Sequence, residues 1–289
     1  MQTEEELRQD LTYIAHKLYN KGLVAGANGN ISIRMDTDVI LTSPFGTSLG
    51  ALEPEQVLQT DLSGEVTAGQ GQISVEYPLH LEAYRRRADI RAVIHAHPPV
   101  ATGMAAAGLD MTEPLLTEVI LGFGRIPLAP YAAPGTDAFV QAITDLLADH
   151  NALLLANHGA LTLGQTVHDA CYKMEVLELV AQSTLAARLF GGAKLLSDAQ
   201  TRELLDLRAK LSEKSPDTEC ATCTEWMQTC SSLAPLFNLQ THCGACSEGT
   251  SSDGSGNSAA PPQASSVDGD AQLEDFIRQV TAEVVRQLG

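Results

Sequence analysis

Three histidines and one glutamate carry the strongest chemical signal in the sequence. His95 and His97 stand two apart in "HAH", His158 lies in "ANHGA", and Glu76 is upstream in "SVEYPLH". His95 and His97 follow the apolar run Ala92–Ile94, and His158 follows Ala152–Ala156. Two strands that end in histidines, on either side of a helix-sized segment, can bring three neutral imidazoles to one point. Three protein ligands with a fourth position left open is the pattern of a catalytic zinc site, whereas a structural site is closed by four. A lone histidine is more simply read as a half-buried, hydrogen-bonded residue. Three at this spacing, with a carboxylate nearby, read as a metal set.

These residues need a frame, and the periodicity supplies one. Residues 4–21 form an amphipathic helix, with Leu7, Leu11, Ile14 and Leu18 at helical spacing. "GANGNIS" is a glycine-rich turn into a strand at Ile31–Arg34, Val39–Thr42 is a second strand, and "SPFG" a turn. Glu76-Tyr77-Pro78 reads as a helix start, with Pro78 suited to the first helical position, so Glu76 sits just outside the helix and faces a cleft. Ala92–His95 is a buried strand. Thr136–His150 is a helix with Phe139, Val140, Ile143 and Leu147 inward, and Ala152–Ala156 is again a strand. Thr166 caps a long helix to about Phe190, and Ser197 another to about Leu211. Strands interleaved with helices through short turns indicate a layered α/β domain over residues 1–212.

The segments "GANGNIS", "SVEYPLHLEAYRRRADIRAVIHAHPP", "RIPLAPYAAPGT" and "LLLANHGALTLG" resemble, in order and over roughly residues 4–212, the class II aldolase/adducin family. The resemblance implies a three-layer fold with a mostly antiparallel central sheet and a homotetramer whose active sites lie between subunits. It implies one catalytic zinc on His95, His97 and His158, with Glu76 on the metal at rest and acting as the proton-transfer base during turnover. The implied reaction is cleavage of a deoxyketose 1-phosphate, such as L-fuculose or L-rhamnulose 1-phosphate, to dihydroxyacetone phosphate and lactaldehyde. A metal that takes the charge left when the carbon–carbon bond breaks makes a lysine Schiff base unnecessary, and the sequence has few lysines in the core.

The sequence departs from the family pattern at two places. Asn30 and Ser74 match the phosphate-binding loops, but Ala27, Val75 and Phe45 stand where small hydroxyl residues are expected; Thr42, Ser43 and the backbone N–H of Gly46 can compensate, because backbone donors bind phosphate. Where the family places the tyrosine that protonates the leaving aldehyde, "EPLLTEVILGFG" offers Glu118, either a proton relay or a polar interface residue. Tyr131 in "APYAAPGT" reads as structural. Other reactions on this scaffold (4-epimerisation, dehydration or decarboxylation) are the alternatives within enzymes. An adducin-like scaffold without chemistry is the alternative outside them, and the intact histidine set argues against it.

Composition narrows the partners. With 18 Lys+Arg against 36 Asp+Glu, the formal charge is −18, which excludes phosphate neutralisation and hence nucleic acid. No apolar run reaches the length of a membrane span, and "MQTEEELRQD" lacks the basic start of a leader, so the expected location is the cytoplasm, with thiols reduced. Residues 213–246 hold five of the six cysteines. Cys220/Cys223 and Cys243/Cys246 form two C-x-x-C pairs separated by nineteen residues, the spacing of a four-thiolate zinc module; an Fe–S cluster would use the same thiolates. Cys171 reads as a buried apolar thiol. Residues 247–269 are a Ser/Gly/Pro linker. Residues 270–289 form an amphipathic helix with Leu273, Phe276, Ile277, Val280, Val284 and Leu288 on one stripe. That helix resembles the encapsulation peptides that dock enzymes to shell proteins in the lumen of a bacterial microcompartment.

Overall fold

The structure, a computed structural model, describes residues 2–35 and 39–212. The expectations for the cysteine pairs at 220–246, the linker and the helix at 270–289 lie outside the described residues.

Thr3 opens α1 (Glu4–Asn20) with a capping box to Glu6, and Leu11, Ile14 and Leu18 are buried on its inner face. After the glycine turn come β1 (Asn30–Arg34), β2 (Ile40–Thr42), β3 (Leu58–Thr60) and β4 (Val66–Ala68). Next are α2 (Tyr77–Arg86), β5 (Ala92–Ala96), α3 (Pro99–Ala106), α4 (Thr117–Gly122) and β6 (Leu128–Ala129). The described chain ends with α5 (Asp137–Thr144), β7 (Ala152–Leu155), β8 (Gly159–Gly164), α6 (Val167–Leu189) and α7 (Asp198–Ser212).

The strands form one sheet in the order β4-β3-β2-β1-β5-β8-β7-β6. Every pairing is antiparallel except β6 with β7, so the mostly antiparallel sheet expected from the resemblance is present. Two apolar clusters separate its faces. One joins α1, α3, α4 and α6 to Ile31, Ile33, Ala92, Ile94 and Ala96; the other joins α2 and α5 to Val93, Leu153, Leu155 and Leu161. Alternation along β5 therefore sends Ala92, Ile94 and Ala96 one way and Val93 the other, and His95 shares the side of Val93 and α2.

Three sequence readings need correction. The helix expected over 136–150 has Thr136 as its cap, not its first residue; it ends at Thr144 and is followed by a 3-10 turn at Leu146–Ala148, the tighter winding common at helix ends. Pro78 occupies the second position of α2, because Tyr77 is already helical. Tyr131 is 67% exposed and contributes nothing to the core. Thr166 caps α6 through the Asp169 N–H, and Ser197 and Gln200 cap α7 reciprocally. Cys171 is buried, and burial pushes its thiol up to about 11.

Candidate metal centre

Strand β5 delivers the first two histidines. His95, fully buried, faces the α2 side from the strand itself. His97 lies just past the strand end, its N–H donating to the Leu23 carbonyl at 3.0 Å. The next turn is fixed by the buried carboxylate of Glu178 on α6, which accepts from the N–H groups of Val100 and Ala101 at 3.1 and 3.0 Å and so caps α3. His158 sits in the turn between β7 and β8, beside Asn157 with φ 56°. Its ring stacks on Phe139, centroids 5.3 Å apart and planes inclined by 19°. Glu76 stands at the cap position of α2.

Two glycines make room. A Cβ on Gly159 would lie 2.5 Å from the Ala96 carbonyl and 2.5 Å from His97 Cδ2. A Cβ on Gly29, at φ +78°, would lie 2.9 Å from the His95 carbonyl. Both positions require close backbone approach.

The ring nitrogens converge. His95 Nε2 is 3.0 Å from His97 Nε2 and 3.1 Å from His158 Nε2. His95 Nδ1 lies 2.9 Å from the Ala160 carbonyl; a carbonyl can only accept, so Nδ1 carries the proton and Nε2 of the neutral ring is a lone pair. Glu76 Oε1 is 2.8 Å from His158 Nε2 and Oε2 is 3.3 Å from His95 Nε2. The four ligand atoms lie within 4.8 Å of one another. Nitrogens bound to one tetrahedral zinc at about 2.05 Å stand about 3.3 Å apart, close to the spacing found. The set therefore fits a divalent cation that prefers imidazole and carboxylate.

The electrostatics agree with that chemistry. Burial favours the neutral form of Glu76, but the hydrogen bond from His158 and the proximity of the His95 ring outweigh it and hold the carboxyl well below the usual carboxylate range. Burial, then the neighbouring His95 and His158, lowers His97 to about 4, so its ring is neutral and able to ligate near neutral pH. Asn30 Nδ2 donates to Glu76 Oε2 at 2.9 Å and to Ser74 Oγ at 3.4 Å, and Ser74 Oγ also accepts the Glu76 N–H at 3.2 Å.

The structure thus brings together His95, His97, His158, Glu76, Asn30 and Ser74. The hydroxyl of Ser43 is buried and accepts from the Ile31 N–H at 3.1 Å, while Gly46 lies on an exposed turn with φ 76°. Glu118 is exposed in the first turn of α4, and no described hydrogen bond joins it to the four ligands of its own subunit. Sequence reasoning missed the roles of Gly159, Gly29 and the stacked Phe139. The glycine immediately after His158 in "NHGA" was the available signal.

Comparison with known proteins places this geometry. The profile of the Class II Aldolase and Adducin N-terminal domain matches residues 9–185. The chain is 34% identical over 183 residues to the 3-oxo-tetronate 4-phosphate decarboxylase of Escherichia coli O6:H1, covering 62% of this chain and 86% of that protein. It is 34% identical over 172 residues to the L-fuculose phosphate aldolase of Methanocaldococcus jannaschii, covering 60% and 92%. The solved structure of YgbL from Escherichia coli superposes with a TM-score of 0.67 at 31% identity, covering 71% of this chain and 100% of that one. The chain belongs to the class II aldolase and adducin N-terminal domain family.

Proposed function

We propose that the protein is a zinc-dependent lyase that cleaves a deoxyketose 1-phosphate, such as L-fuculose or L-rhamnulose 1-phosphate, to dihydroxyacetone phosphate and lactaldehyde. The observation that carries this reading is the convergence of three imidazole Nε2 atoms beside the Glu76 carboxylate. Zinc held by His95, His97, His158 and, at rest, Glu76 would supply Lewis-acid stabilisation of the charge left on the ketone fragment. Glu76 then serves as the base: in the synthetic direction it takes a proton from the hydroxymethyl carbon of dihydroxyacetone phosphate, and in cleavage it returns that proton. Asn30 orients the carboxylate through its amide N–H. Ser43, Ser74 and the Gly46 N–H are the groups assigned to the phosphate, while Asn30, matched to the same loops in the sequence, has its N–H groups on Glu76 and Ser74. Glu118 is assigned to the alcohol oxygen of the leaving aldehyde in a neighbouring subunit of a homotetramer, which its exposure on α4 supports.

Decarboxylation is the second reading, favoured by the 34% identity to 3-oxo-tetronate 4-phosphate decarboxylase. It leaves a similar charge next to a carbonyl, yet needs no group to move an alcohol proton, so it would make Glu118 dispensable. Incubating the zinc-loaded protein with dihydroxyacetone phosphate and lactaldehyde tests the first reading, which requires a new ketose phosphate. Release of CO2 from 3-oxo-tetronate 4-phosphate, without that condensation, would replace it with the second.

The apolar stripe of residues 270–289 supports docking to microcompartment shell proteins, and the paired thiolates Cys220, Cys223, Cys243 and Cys246 support a second metal site; both rest on the sequence.

A further inference from the structure

Behind Glu76 runs a buried polar seam that the chemistry above does not use. Asn30 and Ser32 are two apart on β1 and share a face. Glu76, His80 and Tyr84 recur every four residues along α2 and share a stripe. The two spacings match, so the elements meet rung by rung. Asn30 reaches Glu76 at 2.9 Å, Ser32 Oγ lies 2.7 Å from both His80 Nδ1 and the Tyr84 hydroxyl, and Arg34 donates to the Tyr84 carbonyl at 3.0 Å. Ser32 and His80 are fully buried.

Ser32 has one hydroxyl proton between its two neighbours: with the Tyr84 hydroxyl donating to Ser32, Ser32 donates to His80 Nδ1 and the ring carries its own proton on Nε2. Burial lowers His80 to about 3, which keeps the ring neutral with a single proton. Among the described residues His80 Nε2 has no hydrogen-bond partner, and neither has Asn30 Oδ1. In that arrangement one is a donor and the other an acceptor. Both are buried on the same seam, and the Asn30 amide has its N–H2 end committed to Glu76 and Ser74.

We infer that His80 is a positioning residue for Glu76, its Nε2–H linked through one buried water to Asn30 Oδ1, which locks the Asn30 amide with its donor facing the carboxylate. Two polar partners in a buried polar site suffice to hold a water. The consequence for catalysis rests on Glu76 being the base proposed above; the tautomer and the water do not.

The test combines nitrogen-15 NMR of histidine-labelled protein with two variants. His80 should appear as the neutral Nε2–H tautomer at neutral pH, and a crystal structure should show water density joining its Nε2 to Asn30 Oδ1. His80→Phe fills the ring volume without the donor. It should keep the bound metal and lower kcat roughly 10- to 100-fold with little change in KM, the scale of outer-shell effects. Ser32→Ala should shift His80 toward the Nδ1–H tautomer. If His80→Phe does not fold, the native tautomer and Ser32→Ala decide alone. An Nδ1–H tautomer in the native protein, or full kcat in a folded His80→Phe, would overturn the inference. A native Nε2–H tautomer with the water in place, in a protein that turns over none of the proposed substrates, would point to failure of the functional reading instead.

Discussion

Gly159→Ala probes whether the three imidazoles are held by backbone contact as well as by side-chain choice. The added Cβ would lie 2.5 Å from the Ala96 carbonyl, 2.5 Å from His97 Cδ2 and 3.4 Å from His95 Cε1. Ala96 pairs with Ala160 in the β5–β8 ladder, so relief at its carbonyl means opening that ladder, while His97 lies beyond β5 and its ring can turn. Overpacking of this kind costs about 1–3 kcal/mol. If the displaced His97 carries that cost, metal affinity should fall roughly 5- to 150-fold, at about 1.4 kcal/mol per tenfold. Competition with a chromogenic chelator measures that affinity, and thermal melts of chelator-treated and metal-loaded protein show where the strain appears. The variant should lose much of the stabilisation that metal gives the native protein. Wild-type metal affinity together with an unchanged Tm would refute the claim that Gly159 sets the spacing of the site.

Four further outcomes are expected. His95→Ala, His97→Ala and His158→Ala should each lose the catalytic ion and turnover together, whereas Glu76→Gln should keep most of the ion and lose roughly two to four decades in rate; metal analysis beside initial rates separates the two classes. His80 is neutral in the fold with a value of about 3 against an ordinary 6.5, so the unfolded chain takes up the extra proton between those values. Stability of the chelator-treated protein is therefore fully present above about pH 6.5 and declines as pH falls, by at most about 1.4 kcal/mol per pH unit for this one proton; thermal melts of His80→Phe against pH should show a shallower decline. Removing residues 213–289 should leave a folded aldolase domain with one metal equivalent, while full-length protein releases a second equivalent to thiol reagents; equal counts in both would end the cysteine-module reading. Deleting residues 270–289 should leave turnover unchanged and abolish co-sedimentation with shell proteins, and retained co-sedimentation would assign docking to another part of the chain.

The metal set was legible because its chemistry needs particular residue types, and "HAH", "ANHGA" and "SVE" place them after or beside apolar runs. The caps Thr166 and Ser197 were legible for a similar reason, since a side-chain oxygen before a periodic segment has few other uses. Strands β3 and β4, three residues each, are too short for periodicity to register. Strand β8, "GALTLG", is buried on both faces and shows no alternation to read. The end of α5 was overextended because Leu146 and Leu147 continue the apolar spacing through a tightened turn. The Ser32–His80–Tyr84 seam escaped notice because it joins a spacing of two on a strand to a spacing of four on a helix. Neither pattern points to the other until the elements are packed.

The most direct test of the metal centre is anomalous scattering at the zinc edge from crystals of the zinc-loaded protein. One peak is expected among His95, His97 and His158, about 2.0–2.1 Å from each Nε2, with Glu76 beside it. Zinc bound at stoichiometry with no peak among these three rings would contradict that expectation.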